Sequence, residues 1–186
     1  RGEQIHFETE ICLLIQGGTV AGVGVGLDLT KRATQKKLKD AGLPWERSKA
    51  FEGSALFSHF VDAPASLTDL ELELYVDGEP RQQGGPRQML YQPHTILEEL
   101  RSFIPLEDGD IVMTGTPSGV GPVELSIGAW WCFRTAPRRR VNRILWIGSG
   151  IRSLCPMFAR GSASFYGPWK IKKPRIFGVL ICRNFF

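Results

Sequence analysis

The chain has 186 residues, of which 42% are apolar and 23% charged, and a net charge of +4, a composition that suits one globular domain with or without a tail. No apolar run reaches the roughly 18 residues that cross a membrane, and the first residues, RGEQIHFETE, are charged where a signal peptide would be apolar. A soluble, cytoplasmic protein is therefore expected, and its four cysteines, which lack C-x-x-C or zinc-like spacing, are expected to be reduced thiols.

The first predicted element is a strand over HFETEICLLI. Because strand side chains alternate, Phe7, Thr9 and Ile11 would face one side, and Glu8 and Glu10 would face the other with Cys12. The two carboxylates are thus expected to lie on the same face.

The next element, AGVGVGLDLT at residues 21–30, has three glycines at alternate positions. A dinucleotide-binding motif needs G-x-G-x-x-G, but here the third glycine, Gly26, comes one residue too early, and no Lys-Ser/Thr pair follows. The stretch is therefore predicted to be a strand that ends at Asp28.

A short helix is predicted over TKRATQKKLKDAG, with Thr30 as its N-cap and Gly42 as its stop. Alternating leucines from Leu70 to Leu74 predict a half-buried strand, and the DGE at residues 77–79 predicts a hairpin turn after it.

A second, amphipathic helix is predicted in QPHTILEELRSF, followed by a short strand from Ile111 to Thr114 and a loop rich in Gly and Pro. Strands with few helices and no regular β-α alternation favour an α+β, mostly β fold.

The charge distribution changes after Val123. Residues 1–123 hold 11 Lys and Arg against 18 Asp and Glu, whereas residues 124–186 hold 12 against one. These counts give net charges of −7 and +11, so we expect a domain over 1–123 and a separate basic, aromatic tail over 124–186.

Three acids are candidate metal ligands. Glu8, Glu10 and Asp28 offer hard carboxylate oxygens that suit Mg²⁺ or Mn²⁺. From these residues alone, a solvated strand face is the favoured interpretation of the Glu8 and Glu10 pair.

The segments HFETE, LDLTKRATQ, GLPWERSKAFEGSALFSHFV, LYVDGEPRQQG and GDIVMTGTPSGVGP, in this order, resemble the fumarylacetoacetate hydrolase family. The resemblance covers residues 5–123 and implies a mixed β-sandwich roll with a few short helices. It also implies divalent-metal hydrolases, lyases or isomerases that act on 1,3-dicarbonyl or 2-oxo acids, including acylpyruvates and oxaloacetate, in aromatic catabolism.

The resemblance also implies the site. Glu8, Glu10 and Asp28 match the metal carboxylates; Lys49 and Gln35 match catalytic residues; and Arg32, Gly115 and Thr116 match substrate-binding residues. Lys49 would stabilise an enolate beside the metal ion, Arg32 would pair with a substrate carboxylate, and Gln35 would orient a water or substrate oxygen. Arg32 and Gln35 could equally be helix-surface residues, and Thr116 part of a structural turn. No role in catalysis is expected for His6, His59 or His94.

Three departures from the family pattern lead to further expectations. We expect the lid segment before Glu8, which in several relatives carries a water-activating His-Glu pair, to be missing. The connection from Glu10 to Asp28 is shorter than in relatives, and Gly17 and Gly18 could form a tight hairpin in it. The tail does not match the family, which predicts a C-terminus that is replaced, out of frame or disordered.

Three functions remain open from the sequence. The first is a metal-dependent hydrolase or lyase of acylpyruvate-like substrates that forms a homodimer. The second is an inactive remnant that serves only as a scaffold or dimerisation module. The third, nucleic-acid binding by the tail, is not favoured because no recognisable reading module accompanies the charge.

Overall fold

Strands dominate the described part of the chain, together with two α-helices. The structure, a computed structural model, describes residues 3–123, 128–135, 140–147 and 180–182. The strands are β1 (Ile5–Phe7), β2 (Thr9–Gln16), β3 (Thr19–Asp28), β4 (Thr30–Lys31), β5 (Ala55–Phe57), β6 (Val61–Asp62), β7 (Leu70–Val76), β8 (Glu79–Gly84), β9 (Ile111–Met113), β10 (Gly121–Pro122), β11 (Gly128–Thr135), β12 (Arg140–Ile147) and β13 (Leu180–Cys182). The helices are α1 (Arg32–Asp40) and α2 (Pro93–Phe103). The expected α+β, mostly β class is confirmed.

The strands form three sheets. A six-stranded sheet has the order β13-β9-β2-β3-β5, with β6 also paired to β3; a four-stranded sheet has the order β12-β11-β7-β8; and a three-stranded sheet has the order β10-β1-β4. Strands β2 and β3, which carry Glu10 and Asp28, lie at the centre of the six-stranded sheet, where neighbours on both sides hold them in place, and Glu8 immediately precedes β2.

The main hydrophobic core joins the six-stranded sheet, the four-stranded sheet and helix α2. Its buried side chains alternate along the strands as predicted, and include Ile11, Leu13, Ile15, Val23, Val25, Leu27, Leu70, Leu72, Leu74, Val76, Ile96, Leu97 and Leu100. On the other face of β2, Cys12 packs with Ala55, Ile111 and Met113 in a second cluster. The faces of β2 therefore divide as the alternation of its residues predicts.

Strands β2 and β3 are joined directly by a tight hairpin. Gly17 and Gly18 both have positive φ, of 58° and 69°, and the pairing of Gln16 with Thr19 closes the turn. The predicted hairpin is confirmed. A bulge between Leu14 and Ile15 then shifts the register by one residue, so that Glu10 lies opposite Gly26 at the far end.

Helix α1 ends where predicted but begins later. Gly42 has a φ of 64° and its N–H donates to the carbonyl of Lys39, which confirms the predicted stop. The prediction that Thr30 is the N-cap is wrong: Thr30 lies in β4, paired with His6 of β1, and Lys31 occupies the cap position. Strand pairing holds Thr30 extended, and its hydroxyl donates to the carbonyl of Asp28.

At the N-terminus of α1, a residue that is distant in the sequence accepts hydrogen bonds in place of a capping side chain. Lys31 makes no side-chain capping bond, but the carboxylate of Glu3 accepts hydrogen bonds from the Thr34 N–H at 2.6 Å and from the Thr34 hydroxyl at 2.7 Å. These bonds lower the pKa of the Glu3 carboxyl below its ordinary value. A negative charge also suits the positive end of the helix dipole.

The alternating glycines of β3 leave space that neighbouring side chains fill. A Cβ on Gly26 would lie 2.6 Å from the Cys12 Sγ and 3.1 Å from both the Leu56 carbonyl oxygen and the Met113 Cε. A Cβ on Gly24 would lie 2.9 Å from the Ser58 hydroxyl oxygen. The glycines thus allow side chains to pack directly on the strand that ends at Asp28.

Part of the predicted tail falls among the described strands. Strand β11 pairs with β7 in antiparallel register from Ala129 opposite Val76 to Thr135 opposite Leu70. Strands β12 and β13 also fall in the tail and pair with β11 and β9. The remaining tail residues lie outside the described part of the chain, and the boundary after Val123 stays a prediction. Neither described helix is long and apolar enough to cross a membrane.

Replacing Gly26 with Ala is expected to destabilise the protein by about 2 kcal/mol, because the new methyl group would collide with the Cys12 sulfur and the strand beside it. The double variant Gly26→Ala/Cys12→Ala should recover part of this loss, measured as the free energy of unfolding in urea. Losses that simply add, with Cys12→Ala as the single control, would contradict the packing explanation.

Replacing Glu3 with Gln is expected to lower the free energy of unfolding by about 0.5 kcal/mol at neutral pH, because the helix loses a charged acceptor. Since the folded-state pKa of Glu3 is lowered, its stabilisation is present above the unfolded pKa of about 4.3 and is lost as the pH falls through the folded pKa. The gap between wild type and variant should therefore close in acid. A gap that persists there, or that Glu52→Gln reproduces, would refute the role of Glu3.

Candidate metal centre

Three buried carboxylates meet where β2 begins and β3 ends. Glu8, Glu10 and Asp28 are 6%, 1% and 0% exposed, and one ligand oxygen from each lies within 4.8 Å of the others. The Asp28 N–H donates to the Glu8 carbonyl at 2.8 Å, which extends the β2–β3 register up to the acids. Because these side chains are buried, they do not form the solvated strand face that the sequence left open.

Lys49 inserts its ammonium group among these acids. Its side chain is 1% exposed, and Nζ donates to Glu8 Oε2 at 2.6 Å and to Asp28 Oδ2 at 2.7 Å. A short turn at residues 46–48 holds its backbone, with the Lys49 N–H bound to the Glu46 carbonyl. The buried charges of opposite sign therefore compensate each other.

Helix α1 supplies Arg32 and Gln35 to the same place. Arg32 Nη2 donates to Glu8 Oε1 at 2.6 Å, and Nη1 donates to Gln35 Oε1 at 2.6 Å. Gln35 is 5% exposed, so it is not a helix-surface residue. Each carboxylate oxygen of Glu8 thus accepts a bond from a different cation.

The loop after β9 also contacts this region. The Gly115 N–H donates to Glu10 Oε2 at 2.7 Å, and the Thr116 hydroxyl donates to the Thr9 carbonyl at 2.8 Å. The structure therefore brings all eight sequence-predicted site residues into one connected region. Their chemical roles remain predictions.

Burial and nearby charge perturb two groups of this region. Burial lowers the pKa of the Lys49 ammonium, whereas the negative charges of Glu8 and Glu10 act to raise it. Burial also lowers the pKa of His6, and the positive charge of Arg32 lowers it further.

A cavity of about 450 Å³ opens beside the centre. Its wall is formed by Gln4 and His6 from the N-terminal segment and by residues of helix α1, namely Arg32, Ala33, Gln35, Lys36, Lys39 and Asp40. Since Arg32 lines the cavity and also donates to Glu8, it connects the cavity to the carboxylate cluster, and Gln35 contacts Arg32 from the same wall.

The sequence reading missed Gln82 of β8. Its side chain is 2% exposed and its amide bonds to the Thr9 N–H, the Thr116 hydroxyl and the Pro117 carbonyl. The segment RQQGG carries no apolar alternation that would have marked the second of its polar residues as the buried one.

Known proteins resemble this chain in sequence and fold. A family model described as "Fumarylacetoacetate (FAA) hydrolase C-terminal" matches residues 2–143. The oxaloacetate tautomerase YcgM of Escherichia coli is 41% identical over an alignment of 135 positions, and the match covers 64% of this chain and 61% of that protein. The mitochondrial oxaloacetate tautomerase FMP41 of Saccharomyces cerevisiae is 36% identical over an alignment of 145 positions, and the match covers 67% of this chain and 56% of that protein.

A solved structure shows the same architecture. Fumarylpyruvate hydrolase from Pseudomonas aeruginosa, in complex with Mn²⁺ and pyruvate, aligns with a TM-score of 0.65 at 32% identity, over 70% of this chain and 61% of that one. The chain spans less than two thirds of the length of these relatives. Because the family model covers most of the sequence, the chain belongs to the fumarylacetoacetate hydrolase family, whose members include metal-dependent hydrolases, isomerases and decarboxylases.

Proposed function

We propose that this chain holds a divalent cation on Glu8, Glu10 and Asp28 and catalyses enolate chemistry on a 2-oxo acid, with keto–enol tautomerisation of oxaloacetate as the reaction. The observation that carries the proposal is the cluster of three buried carboxylates, whose ligand oxygens lie within 4.8 Å of one another. Buried acids at this density are costly unless cations compensate them.

The donor set fits Mg²⁺ or Mn²⁺. Carboxylate oxygens are the ligands that these hard cations prefer, and the three here come from adjacent strand ends that hold them in place. A thiol or imidazole ligand would have favoured a softer metal. The Mn²⁺ in the fumarylpyruvate hydrolase complex supports this choice of cation.

When bound, the ion would act as a Lewis acid that stabilises the negative charge of an enolate. The surrounding side chains support that chemistry. Lys49 holds a positive charge at Nζ among the same carboxylates, and Arg32 presents a guanidinium at the boundary between the acids and the cavity. Arg32 would pair with the substrate carboxylate, and Gln35 would orient a substrate oxygen through its amide.

Tautomerisation is favoured because it moves one proton and breaks no C–C bond. It requires an enolate that is stabilised by positive charge, which the described residues supply, but no activated water. The names of the Escherichia coli and yeast relatives support oxaloacetate as the substrate.

Hydrolysis of an acylpyruvate is the second candidate. The likeness to fumarylpyruvate hydrolase favours it, since both reactions pass through the same kind of enolate. A role in aromatic catabolism, a homodimer and a cytoplasmic location remain predictions alongside it.

Lys49→Met is expected to lower the free energy of unfolding by about 3–5 kcal/mol, because Glu8 and Asp28 lose their shared buried cation. Mn²⁺ should raise the melting temperature of this variant more than that of the wild type, since the ion would restore positive charge among the acids. Lys37→Met, which removes an exposed lysine, is the matched control. If Mn²⁺ raised the melting temperatures of Lys49→Met and Lys37→Met by the same amount, the result would count against a metal centre at these acids.

The purified chain with Mg²⁺ is expected to accelerate the ketonisation of enol-oxaloacetate, followed by the decay of the enol ultraviolet absorbance. Glu10→Gln should reduce this rate at least about 100-fold because one of the three ligands loses its charge, and chelation of the metal should do the same. Glu71→Gln, at an exposed strand position, should leave the rate unchanged.

The outcomes separate the candidate functions. A rate that neither the chelator nor Glu10→Gln lowers would refute metal-dependent tautomerisation. Turnover of acetylpyruvate without ketonisation would favour the hydrolase. Inactivity on both substrates, with Mg²⁺ present, would favour the scaffold.

A further inference from the structure

We propose that Gln82 is a positioning residue that fixes the substrate loop, residues 115–119, against the start of β2, where Thr9 lies between Glu8 and Glu10. Gln82 lies on β8 in the four-stranded sheet, whereas Glu10 lies on β2 in the six-stranded sheet. The loop follows β9, so three separate parts of the chain meet at the Gln82 amide.

The Gln82 side chain uses both ends of its amide. Oε1 accepts the Thr9 N–H at 3.0 Å, while Nε2 donates to the Thr116 hydroxyl and to the Pro117 carbonyl, each at 2.8 Å. Thr9 stands between Glu8 and Glu10 in the chain. One buried side chain therefore ties the backbone between the two acids to two successive residues of the loop.

A second bond closes this connection into a ring. The Thr116 hydroxyl, which accepts from Gln82, donates its one hydrogen to the Thr9 carbonyl at 2.8 Å. Both backbone groups of Thr9 are thus bonded to the ring. The neighbouring Gly115 N–H is aimed at Glu10 Oε2, so its position depends on where the ring holds the loop.

The backbone of β8 holds the loop on either side of the amide. Gly119 has a φ of 99°, and a Cβ there would strike the carbonyl oxygen of Arg81. A Cβ on Gly84 would lie 2.9 Å from the Pro117 Cβ. The loop packs directly on β8, so the position of β8 limits how far the loop can move from the acids.

The hydrogen bonds of Thr116 limit how its hydroxyl could contact a substrate. The Thr116 hydroxyl gives its hydrogen to Thr9, so it can meet a substrate only as an acceptor. If the proposed function holds, the contribution of the loop to substrate binding depends on its position, which Gln82 sets without touching the substrate.

Gln82→Glu tests the inference with Gln83→Glu as its control. The new carboxylate can still accept the Thr9 N–H, but it cannot donate to Thr116 or Pro117. Its negative charge would also repel the partly negative carbonyl oxygen of Pro117. Gln83 is the exposed neighbour on the same strand, so its variant carries the same change of charge.

Hydrogen exchange of the full chain, without metal or substrate, is the first measurement. Exchange of the Gly115 amide is expected to rise at least about tenfold in Gln82→Glu and to stay unchanged in Gln83→Glu, while the Val25 amide of β3 keeps its protection in both. Protection of Gly115 that survives Gln82→Glu would overturn the inference. Equal loss of protection at Gly115 and Val25 would also overturn it, since Gln82 would then support the whole fold.

Thr116→Val provides a second test in case Gln82→Glu does not fold. This variant removes the hydroxyl from the ring without adding charge, and Gly115 exchange should rise in it by a similar factor while Val25 is unaffected. An unchanged Gly115 amide in Thr116→Val would overturn the inference as well.

Kinetics then separate this inference from the proposed function. With Mg²⁺, Gln82→Glu is expected to raise the KM for oxaloacetate about tenfold, while the Mn²⁺ dissociation constant changes by less than about threefold. A variant that weakens Mn²⁺ binding as much as it raises KM would overturn positioning of the loop alone. A wild type that neither binds Mn²⁺ nor acts on oxaloacetate would refute the proposed function, and the exchange data would still decide the role of Gln82.

Discussion

Mutual repulsion among Glu8, Glu10 and Asp28 is the constraint on which the rest of this structure depends. Three carboxylates with oxygens inside 4.8 Å and almost no exposure would be strongly unfavourable without compensation. The fold supplies compensation from three directions: Lys49 between Glu8 and Asp28, Arg32 on Glu8, and the Gly115 N–H on Glu10. Helix α1, the turn before Lys49 and the loop after β9 are all held where they can deliver these groups.

Much of the arrangement within one element or one hairpin could be predicted from the sequence. The alternation around Glu8 and Glu10 predicted both acids on one face, and Gly17-Gly18 predicted the hairpin that returns the chain toward them, because strand geometry and tight turns are local properties. The bulge between Leu14 and Ile15, which sets the register that brings Asp28 beside Glu8, was not predicted. The approach of Lys49 was not local. It lies 41 residues from Glu8, and only the family resemblance indicated it. The failure at Thr30 had the same origin, since pairing with β1 overrode a local capping preference.

Gln82 shows most clearly what a single sequence does not reveal. Its neighbours in the chain are polar and exposed, and its partners at Thr9 and Pro117 are 73 and 35 residues away. Burial of a polar side chain becomes favourable only when every hydrogen bond is supplied by the assembled fold. The boundary that the composition change after Val123 predicts stays a prediction, but composition and strand pairing are separate properties: the family match runs on to residue 143, and β11 pairs with β7 although the charge balance has reversed.

The charges of the centre also constrain what it can bind. The three carboxylates with Lys49 and Arg32 carry a formal charge of −1, which would repel an anionic 2-oxo acid from a site of low dielectric. A divalent cation on the carboxylates changes that charge to +1, so the anion becomes a partner that further neutralises the centre. In the proposed function, metal binding therefore precedes substrate binding for an electrostatic reason. Lys49 would then remain necessary in both states, because it limits the repulsion among the acids before the ion arrives and adds to the attraction of the substrate afterwards.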